Sequence, residues 1–439
     1  MNSREIAVKV LDRVIREGAY SNIILSKELN ASDLSDQDKG LTTEIVYGTL
    51  RRLKTIDMIL ASLVKDLSVM DKKVLTILRV AIYQMKFLDK IPPYAACNEA
   101  VELAKEVSEK DGKLVNGILR NYLSKDGNVE INFRNKIDEL AFNLSFEPWM
   151  IRMLIKQYGE AEAIRILEEL NNTPGVTVRV NNIKADYEDV FEELESEGYE
   201  VEEGEVCPEA ISITGGKGIE KNQAFIDGKI TVQDESAMLI APLLDIEDNL
   251  TVIDLCCAPG GKTTHIGELL NNTGKVLAFD LYPQKLELVR ENAERLGITN
   301  IDLGEMDATK LNVNLIGLAD RVLIDVPCSG IGIIRKKPEI KWTKKRSEIK
   351  ELVEIQRQIM DNAWEYLKKD GVMIYSTCTV NKEENQENIT WFLNKHKDAK
   401  IEKIFVGREE NLRYDDLGTL TIFPNQYMDG FFVTKIKKC

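Results

Sequence analysis

At 439 residues the chain is too long for one hydrophobic core and predicts two or three domains. Its 44% hydrophobic and 30% charged residues are those of a soluble globular protein, and no apolar run reaches the roughly 18 residues a membrane span needs. The net charge of −15 disfavours a nucleic-acid partner at first sight, and two histidines, His265 and His396, argue against a histidine-based triad or a multi-histidine metal site.

The remaining composition refines this. Met1-Asn2-Ser3-Arg4-Glu5 leads into an amphipathic pattern, not an apolar signal core, so a cytoplasmic protein is expected. Seven cysteines are too few, and odd in number, for a disulfide framework. The acidity is uneven: residues 1–125 carry a net +3, residues 126–250 a net −18 and residues 251–439 a net of zero. Both ends can therefore present basic faces, and phosphate binding follows local potential.

Residues 1–125 read as all helix. Apolar positions recur at helical spacing in Ile6 to Ile15, Ile45 to Leu53 and Val74 to Tyr83. Pro92-Pro93 breaks the pattern before a helix restarts near Tyr94, and Asp111-Gly112 predicts another break before Leu114 to Leu123. The result is a helical bundle with its own core. Residues 126–170 read as a helical connector in which Pro148 opens a helix. A strand at Val176–Val180, a helix over Tyr187–Gly198 and glycines at 215, 216 and 218 then suggest a small α/β module.

From Asn249 strands and helices alternate. Strands are expected at Thr251–Leu255, Lys275–Asp280, Asn300–Met306, Asp320–Val326 and Gly371–Ser376, with helices at Pro283–Leu296 and Ser347–Leu367. That order implies a parallel, doubly wound sheet with right-handed crossovers. Leu420–Phe423 and Phe431–Ile436 would add an antiparallel edge hairpin.

The first strand runs into a glycine-bearing turn, Cys256-Cys257-Ala258-Pro259-Gly260-Gly261-Lys262-Thr263, that invites a nucleotide. Asp280, twenty residues past Gly260, ends the next strand where a ribose-binding acid belongs, and Asp307 ends the third, where it could meet an adenine. A Walker A loop would need glycine at Cys256, and a dinucleotide fingerprint would need Gly-x-Gly-x-x-Gly. S-adenosylmethionine suits the turn better, having ribose and adenine but no phosphate. A plain tight turn is the bland alternative, weakened by Asp280 and Asp307.

Cys328 and Cys378 fall at the ends of the fourth and fifth strands, facing the crevice where such sheets bind ligands. A thiolate there can be a nucleophile. Methylation at C5 of a pyrimidine needs one, because C5 attacks a methyl sulfonium only after a thiolate adds to C6. An acid at N3 would steady the charge, and Asp325 is three residues from Cys328. A second base or thiol would help expel the enzyme. Cys97, Cys207, Cys256, Cys257 and Cys439 read as structural. A zinc site is not expected, since no Cys-x-x-Cys pair exists.

Three elements carry a resemblance: Cys257 to Thr263, Asp325-Val326-Pro327-Cys328-Ser329 and Ser376-Thr377-Cys378. They are similar to the cofactor, fourth and sixth motifs of the RNA cytosine-C5 methyltransferases. Within that family the whole chain resembles the bacterial branch acting on small-subunit ribosomal RNA. Tyr47 to Arg52 and Lys113 to Arg120 resemble NusB, an RNA-binding antitermination factor, and Arg179-Val180-Asn181 and Gln233 to Ser236 are also family-like.

The resemblance implies an α/β fold: a Rossmann-like S-adenosylmethionine-dependent sheet over 246–439, an all-α NusB-like bundle over 1–125 and a connector with a small α/β RNA-binding module over 126–245. It implies that Cys378 attacks C6, Cys328 assists release and Asp325 holds the cytosine edge and the cofactor's methionine end. S-adenosyl-L-methionine would be bound by Cys257, Ala258, Pro259, Gly260, Gly261, Lys262, Thr263, Asp280, Asp307 and Asp325, with Lys262 reaching the active site and no metal. The partner would be 16S ribosomal RNA, methylated at cytosine 967 by a monomer. A tRNA or another rRNA site, or a catalytically idle RNA-binding assembly factor, are the alternatives. For gripping RNA, the candidates are Arg51, Arg52, Lys54, Lys113 and Arg120, together with the runs Arg335-Lys336-Lys337 and Lys341 to Arg346 beside the Cys328 loop.

Overall fold

A computed structural model describes residues 1–216 and 218–439. They form two compact units: Met1–Asn171 with Ile334–Arg346, and Asn172–Ile333 with Ser347–Cys439. Among the described residues no helix is long and apolar enough to cross a membrane.

The first unit is helical. Its opening helix, Ser3–Glu17, is fixed by a capping box in which the Asn2 side chain accepts from the Glu5 N–H and Glu5 accepts from the Asn2 N–H. Asp36–Arg51, Lys72–Phe87 and Pro93–Val107 follow the expected periodicity, and Pro93 itself starts the last of these. The break predicted at Asp111-Gly112 is absent. The helix Glu109–Leu123 runs through both residues because Ser108 caps it, accepting from the Asp111 N–H at 3.1 Å. Gly112 serves contact: a Cβ there would stand 2.5 Å from Cγ of Lys105 on the preceding helix. Pro148 opens the helix Pro148–Tyr158 as predicted.

Two basic residues of the run at 335–346 depart from expectation. Arg335 and Lys341 are buried. The Lys341 ammonium donates to the carbonyls of Arg51 and Ser145, at 3.0 and 3.1 Å, and to Asn171. Trp342 donates its indole N–H to the Leu50 carbonyl at 2.8 Å. Lys341 is thus built into the helical unit, where it satisfies backbone acceptors at a helix end, whereas Lys345 and Arg346 of the same run are exposed. Lys54 is paired with Glu147 at 3.0 Å, and Arg51 and Arg52 are half-buried, whereas Lys113 and Arg120 are exposed.

The second unit holds two sheets. The smaller is antiparallel, with strands β1 (Val176–Val180), β2 (Glu200–Glu203), β3 (Ala210–Gly215) and β4 (Ile230–Val232) in the order β2-β3-β1-β4. The larger contains β5 (Thr251–Asp254), β6 (Lys275–Asp280), β7 (Ile301–Glu305), β8 (Ala319–Asp325), β9 (Leu367–Thr377), β10 (Ala399–Glu402), β11 (Leu412–Tyr414), β12 (Leu420–Ile422) and β13 (Phe431–Lys438). Its order is β11-β12-β13-β9-β8-β5-β6-β7, with β10 also paired to β13. Strands β5 to β9 pair in parallel, and the central β5, β8 and β9 carry apolar runs (Val252–Ile253, Val322–Ile324, Val372–Tyr375) buried on both faces, whereas β7 has no buried residue.

The chain moves outward from β5 to β7, then returns to the other side of β5 as β8. That reversal creates a crevice at the carboxyl ends of β5 and β8. The predicted tail hairpin exists as β12 and β13, but β13 is interior, not at an edge: it also pairs with β9, and Phe432 and Ile436 are fully buried. β10 and β11 were not anticipated.

Candidate active site

Strand β5 delivers the buried Asp254 to the sheet edge, and the chain turns through Leu255–Gly260 into the helix Gly261–Leu269. Gly260 stands at φ 105°, and a Cβ there would lie 3.0 Å from the Val289 side chain. The Thr263 hydroxyl donates to the Asp254 carboxyl at 2.7 Å, and the Cys256 N–H approaches it at 3.3 Å. Burial raises the Asp254 pKa to about 7 against these bonds.

A cavity of about 200 Å³ opens over this turn. Its wall comprises Asp254, the Cys256–Pro259 turn, Gly261, Lys262 and Asp325, with Val232 from the end of the smaller sheet and Gln233 and Ala237 just beyond it. Arg179, fully buried in β1, ties that sheet to the turn, donating to the Gly261 backbone carbonyl at 3.0 Å and to the side-chain amide oxygen Oε1 of Gln233.

Asp280 and Asp307 lie outside this wall. Asp280, the last residue of β6, accepts from the Tyr282 N–H at 3.0 Å and is 3.4 Å from the Ala258 N–H, so it braces the turn. Asp307 lies two residues beyond the end of β7. It accepts from the Thr309 hydroxyl at 2.6 Å and pairs with Lys310 at 3.1 Å. The Thr309 hydroxyl leads the causes that hold its carboxyl below the usual range.

The fourth and fifth parallel strands, β8 and β9, end at Asp325 and Thr377, so Cys328 lies three residues beyond its strand and Cys378 one. Asp325 accepts from the Lys262 ammonium at 2.7 Å on one oxygen and from the Ser376 hydroxyl at 2.8 Å on the other. Burial pushes the Lys262 pKa down, but the charges of Asp325 and Cys378 outweigh it and leave the ammonium above its ordinary value. The ammonium also stands 5.0 Å from the Phe431 ring centroid.

The sulfurs of Cys328 and Cys378 are 3.3 Å apart, and both residues are half-buried. The hydrogen bond with Cys378, then burial, then the charges of Cys378, Glu384 and Asp325 raise the Cys328 pKa. Burial leads the causes that raise the thiols of Cys256 and Cys257 as well, with Asp254 and Asp280 adding to it. Among the described residues no group of three or more His, Cys, Asp or Glu side chains is placed to hold a metal.

The crevice thus brings together Lys262, Asp325, Cys328 and Cys378. Residues given no role from sequence also enter it: Asp254, Gln233 and Ser376. Ser376 was within reach of sequence reasoning, since it stands two residues before Cys378 on a strand whose alternate side chains share a face.

Comparison with known proteins agrees along the whole chain. Residues 241–437 match the family described as 16S rRNA methyltransferase RsmB/F, residues 1–124 the NusB family and residues 146–220 the ferredoxin-like domain of RsmF/B-like methyltransferases. The chain is 37% identical to a probable ribosomal RNA small subunit methyltransferase B of Bacillus subtilis, over 99% of this chain and 98% of that protein. It is 33% identical to ribosomal RNA small subunit methyltransferase B of Proteus mirabilis, over 100% and 99%. The crystal structure of PH0851 superposes with a TM-score of 0.86 at 28% identity, covering 99% of this chain and 98% of the other. A methyltransferase homolog from Pyrococcus horikoshii superposes with a TM-score of 0.62 at 26% identity, covering 70% of this chain and all of the other. The chain belongs to the RsmB/F family of 16S rRNA methyltransferases.

Proposed function

We propose that the protein methylates C5 of a cytosine in 16S ribosomal RNA, at position 967, through a transient bond between Cys378 and C6. The observation that carries this reading is the pair of sulfurs 3.3 Å apart beside the Lys262–Asp325 ion pair. The names of the relatives support the RNA and the site on the small subunit. Work on ribosomal RNA in a bacterium is cytoplasmic.

S-adenosylmethionine, when bound, supplies an electrophilic methyl group. The residues fit it. Gly260 keeps the turn flat where a side chain would collide with Val289. The first turn of the Gly261–Leu269 helix offers backbone N–H groups without helical partners. The carboxyl groups of Asp254 and Asp325 on the cavity wall suit a positively charged sulfur. Asp280 and Asp307 are the candidates for its ribose and adenine.

The geometry supports the following roles for the protein's own residues. The Cys378 thiolate adds to C6, and the C5–C6 electron pair becomes the C5 nucleophile. Asp325 holds the N3 edge of the base, where a proton neutralises the charge pushed onto the ring. Lys262 fixes that carboxyl and steadies the thiolate by its charge. After transfer, the C5 proton passes to solvent, the C5–C6 double bond reforms and the Cys378–C6 bond breaks, the Cys328 thiol donating a hydrogen bond to the departing Cys378 sulfur 3.3 Å away. The cytosine must leave any stack to reach the crevice, which a single-stranded RNA segment permits. Lys113 and Arg120, exposed on one helix of the NusB-like region, are the candidates for phosphate contact outside the catalytic unit.

Transfer of radiolabelled methyl groups to protein-free 16S RNA, with the product nucleoside identified by mass, tests the proposal. Native protein should yield 5-methylcytosine at one site, and Cys378→Ala should yield none. Cys328→Ala should accumulate a covalent protein–RNA adduct. Tight RNA binding by the native protein without methyl transfer would favour an idle assembly factor.

A further inference from the structure

The loops carrying the two thiols are joined by a carboxylate that the chemistry above does not use. Glu384 follows β9 by seven residues and is fully buried. One of its oxygens accepts from the Ser329 N–H at 2.7 Å and from the Gln356 amide at 3.1 Å. The other accepts from the Ser329 hydroxyl at 2.6 Å and from the Asn381 amide at 2.9 Å. All four donors are neutral, so each bond is charge-assisted without cancelling the charge.

Ser329 is the residue after Cys328. Its hydroxyl also lies 2.9 Å from that of Thr379, the residue after Cys378. Gln356 reaches in the same span to the Pro327 carbonyl, at 2.9 Å, on the other side of Cys328. The Gly332 N–H donates to the Cys378 carbonyl at 3.0 Å, and a Cβ on Gly332 would stand 1.9 Å from the Gly430 carbonyl oxygen. The thiol separation is therefore set from behind, and Glu384 is the group on which those bonds converge.

The electrostatics are asymmetric. Cys378 faces the Lys262 ammonium, whereas Cys328 faces Cys378, Asp325 and Glu384, with the neutral phenol of Tyr375 close by. A buried negative charge behind Cys328 favours its protonated form. Two adjacent thiols of like chemistry would otherwise compete for the role of thiolate.

We propose that Glu384 is a positioning residue that seats Cys328 against Cys378 and keeps the proton on Cys328, so that Cys378 is the thiol free to attack. This rests on the cysteine chemistry proposed above and extends it to the choice between the two sulfurs.

The full-length protein with Glu384→Gln tests it, because the substitution preserves shape and removes the charge. Iodoacetamide labelling read by mass spectrometry across pH reports each thiol without RNA. Cys328 should become reactive at lower pH, with about a tenfold faster rate at neutral pH, while Cys378 changes by less than about threefold. With RNA, a single turnover should still transfer methyl, but the covalent adduct should persist about tenfold longer. Ser329→Ala keeps the charge and loses the hydroxyl bonds, so it should prolong the adduct without changing Cys328 labelling. It also serves if Glu384→Gln fails to fold. Equal changes at both thiols, or adduct lifetimes within twofold of native in every folded variant, would overturn the assignment. Failure of Cys328→Ala to trap any adduct would count against the cysteine chemistry itself, while the labelling ratio would still decide the seating.

Discussion

Two cysteine pairs share one sheet edge and differ in almost every physical respect. Cys256 and Cys257 are neighbours in sequence, yet burial and the carboxyls of Asp254 and Asp280 keep both thiols protonated, and the Cys257 N–H is spent on the Phe279 carbonyl at 2.9 Å. Cys328 and Cys378 are fifty residues apart, yet their sulfurs meet at 3.3 Å beside the Lys262 ammonium. Reactivity here follows the charge that the fold brings to a sulfur, not the local density of cysteine. Cys378 has an ammonium for a neighbour, whereas Cys256, Cys257 and Cys328 have carboxylates.

The sharpest way to break this contrast is to remove one sulfur from each pair. Cys378→Ala should lower methyl transfer by at least about 10³-fold, because Cys328, the sulfur beside it, keeps its proton. Cys257→Ala should leave the rate within about threefold and cost stability of about 1 kcal/mol for the lost packing, measured by denaturant titration. Comparable losses of activity in both variants would erase the distinction. Next in size is the ion pair beside Cys378. Asp325→Asn and Lys262→Met should each cost about 10²-fold in single-turnover rate, and the double variant little more than either alone, since each residue fixes the other. Strict additivity would mean that they act separately.

The same contrast marks what could be read without coordinates. The central parallel strands are legible because each holds a short apolar run near an acid or a cysteine, the trace of a strand covered on both faces, while β7, with no buried residue, is legible from its place in the strand–helix alternation. Asp325, Cys328 and Cys378 were legible for a related reason: chemistry-bearing residues at strand ends in a doubly wound sheet converge. Other features depend on contacts that no local pattern encodes. Lys341 reads as one more charge in a basic run, and only the docking of its ammonium on Arg51, Ser145 and Asn171 shows that it is structural. Asp111-Gly112 reads as a breaker until Ser108 is seen to cap the helix and Gly112 to meet Lys105. Glu384 carries no mark in the sequence, because its partners Ser329, Gln356 and Asn381 come from three separate segments. β13 was taken for an edge because its partner β9 lies more than fifty residues earlier in the chain.

Asp254 offers a smaller effect with a definite sign. Its pKa of about 7 stands above the unfolded value near 3.9. The folded protein therefore binds an extra proton between those values. The stability this lends is complete below about pH 4 and is lost as pH rises through 7, an effect on the order of a few kcal/mol. Asp254→Asn keeps an acceptor for the Cys256 N–H and carries no titrating proton. Denaturant titrations without cofactor should show the native protein losing more stability than the variant between pH 5 and pH 8. Parallel curves would mean that the carboxyl is ionised throughout.

The smallest expected effect separates the two kinds of basic residue in the helical unit. Lys113 and Arg120 are exposed, while Lys341 is buried and bound to backbone carbonyls. If exposure decides which cations meet phosphate, Lys113→Ala and Arg120→Ala should each weaken RNA binding a few-fold and reduce the salt dependence of log affinity by about 0.7 to 0.9. Lys341→Met should leave that slope unchanged, because a charge inside the unit releases no counterion from RNA, and should act on thermal stability alone. A slope that falls with Lys341→Met while the melting temperature holds would return this lysine to the RNA surface and reverse the division drawn between them.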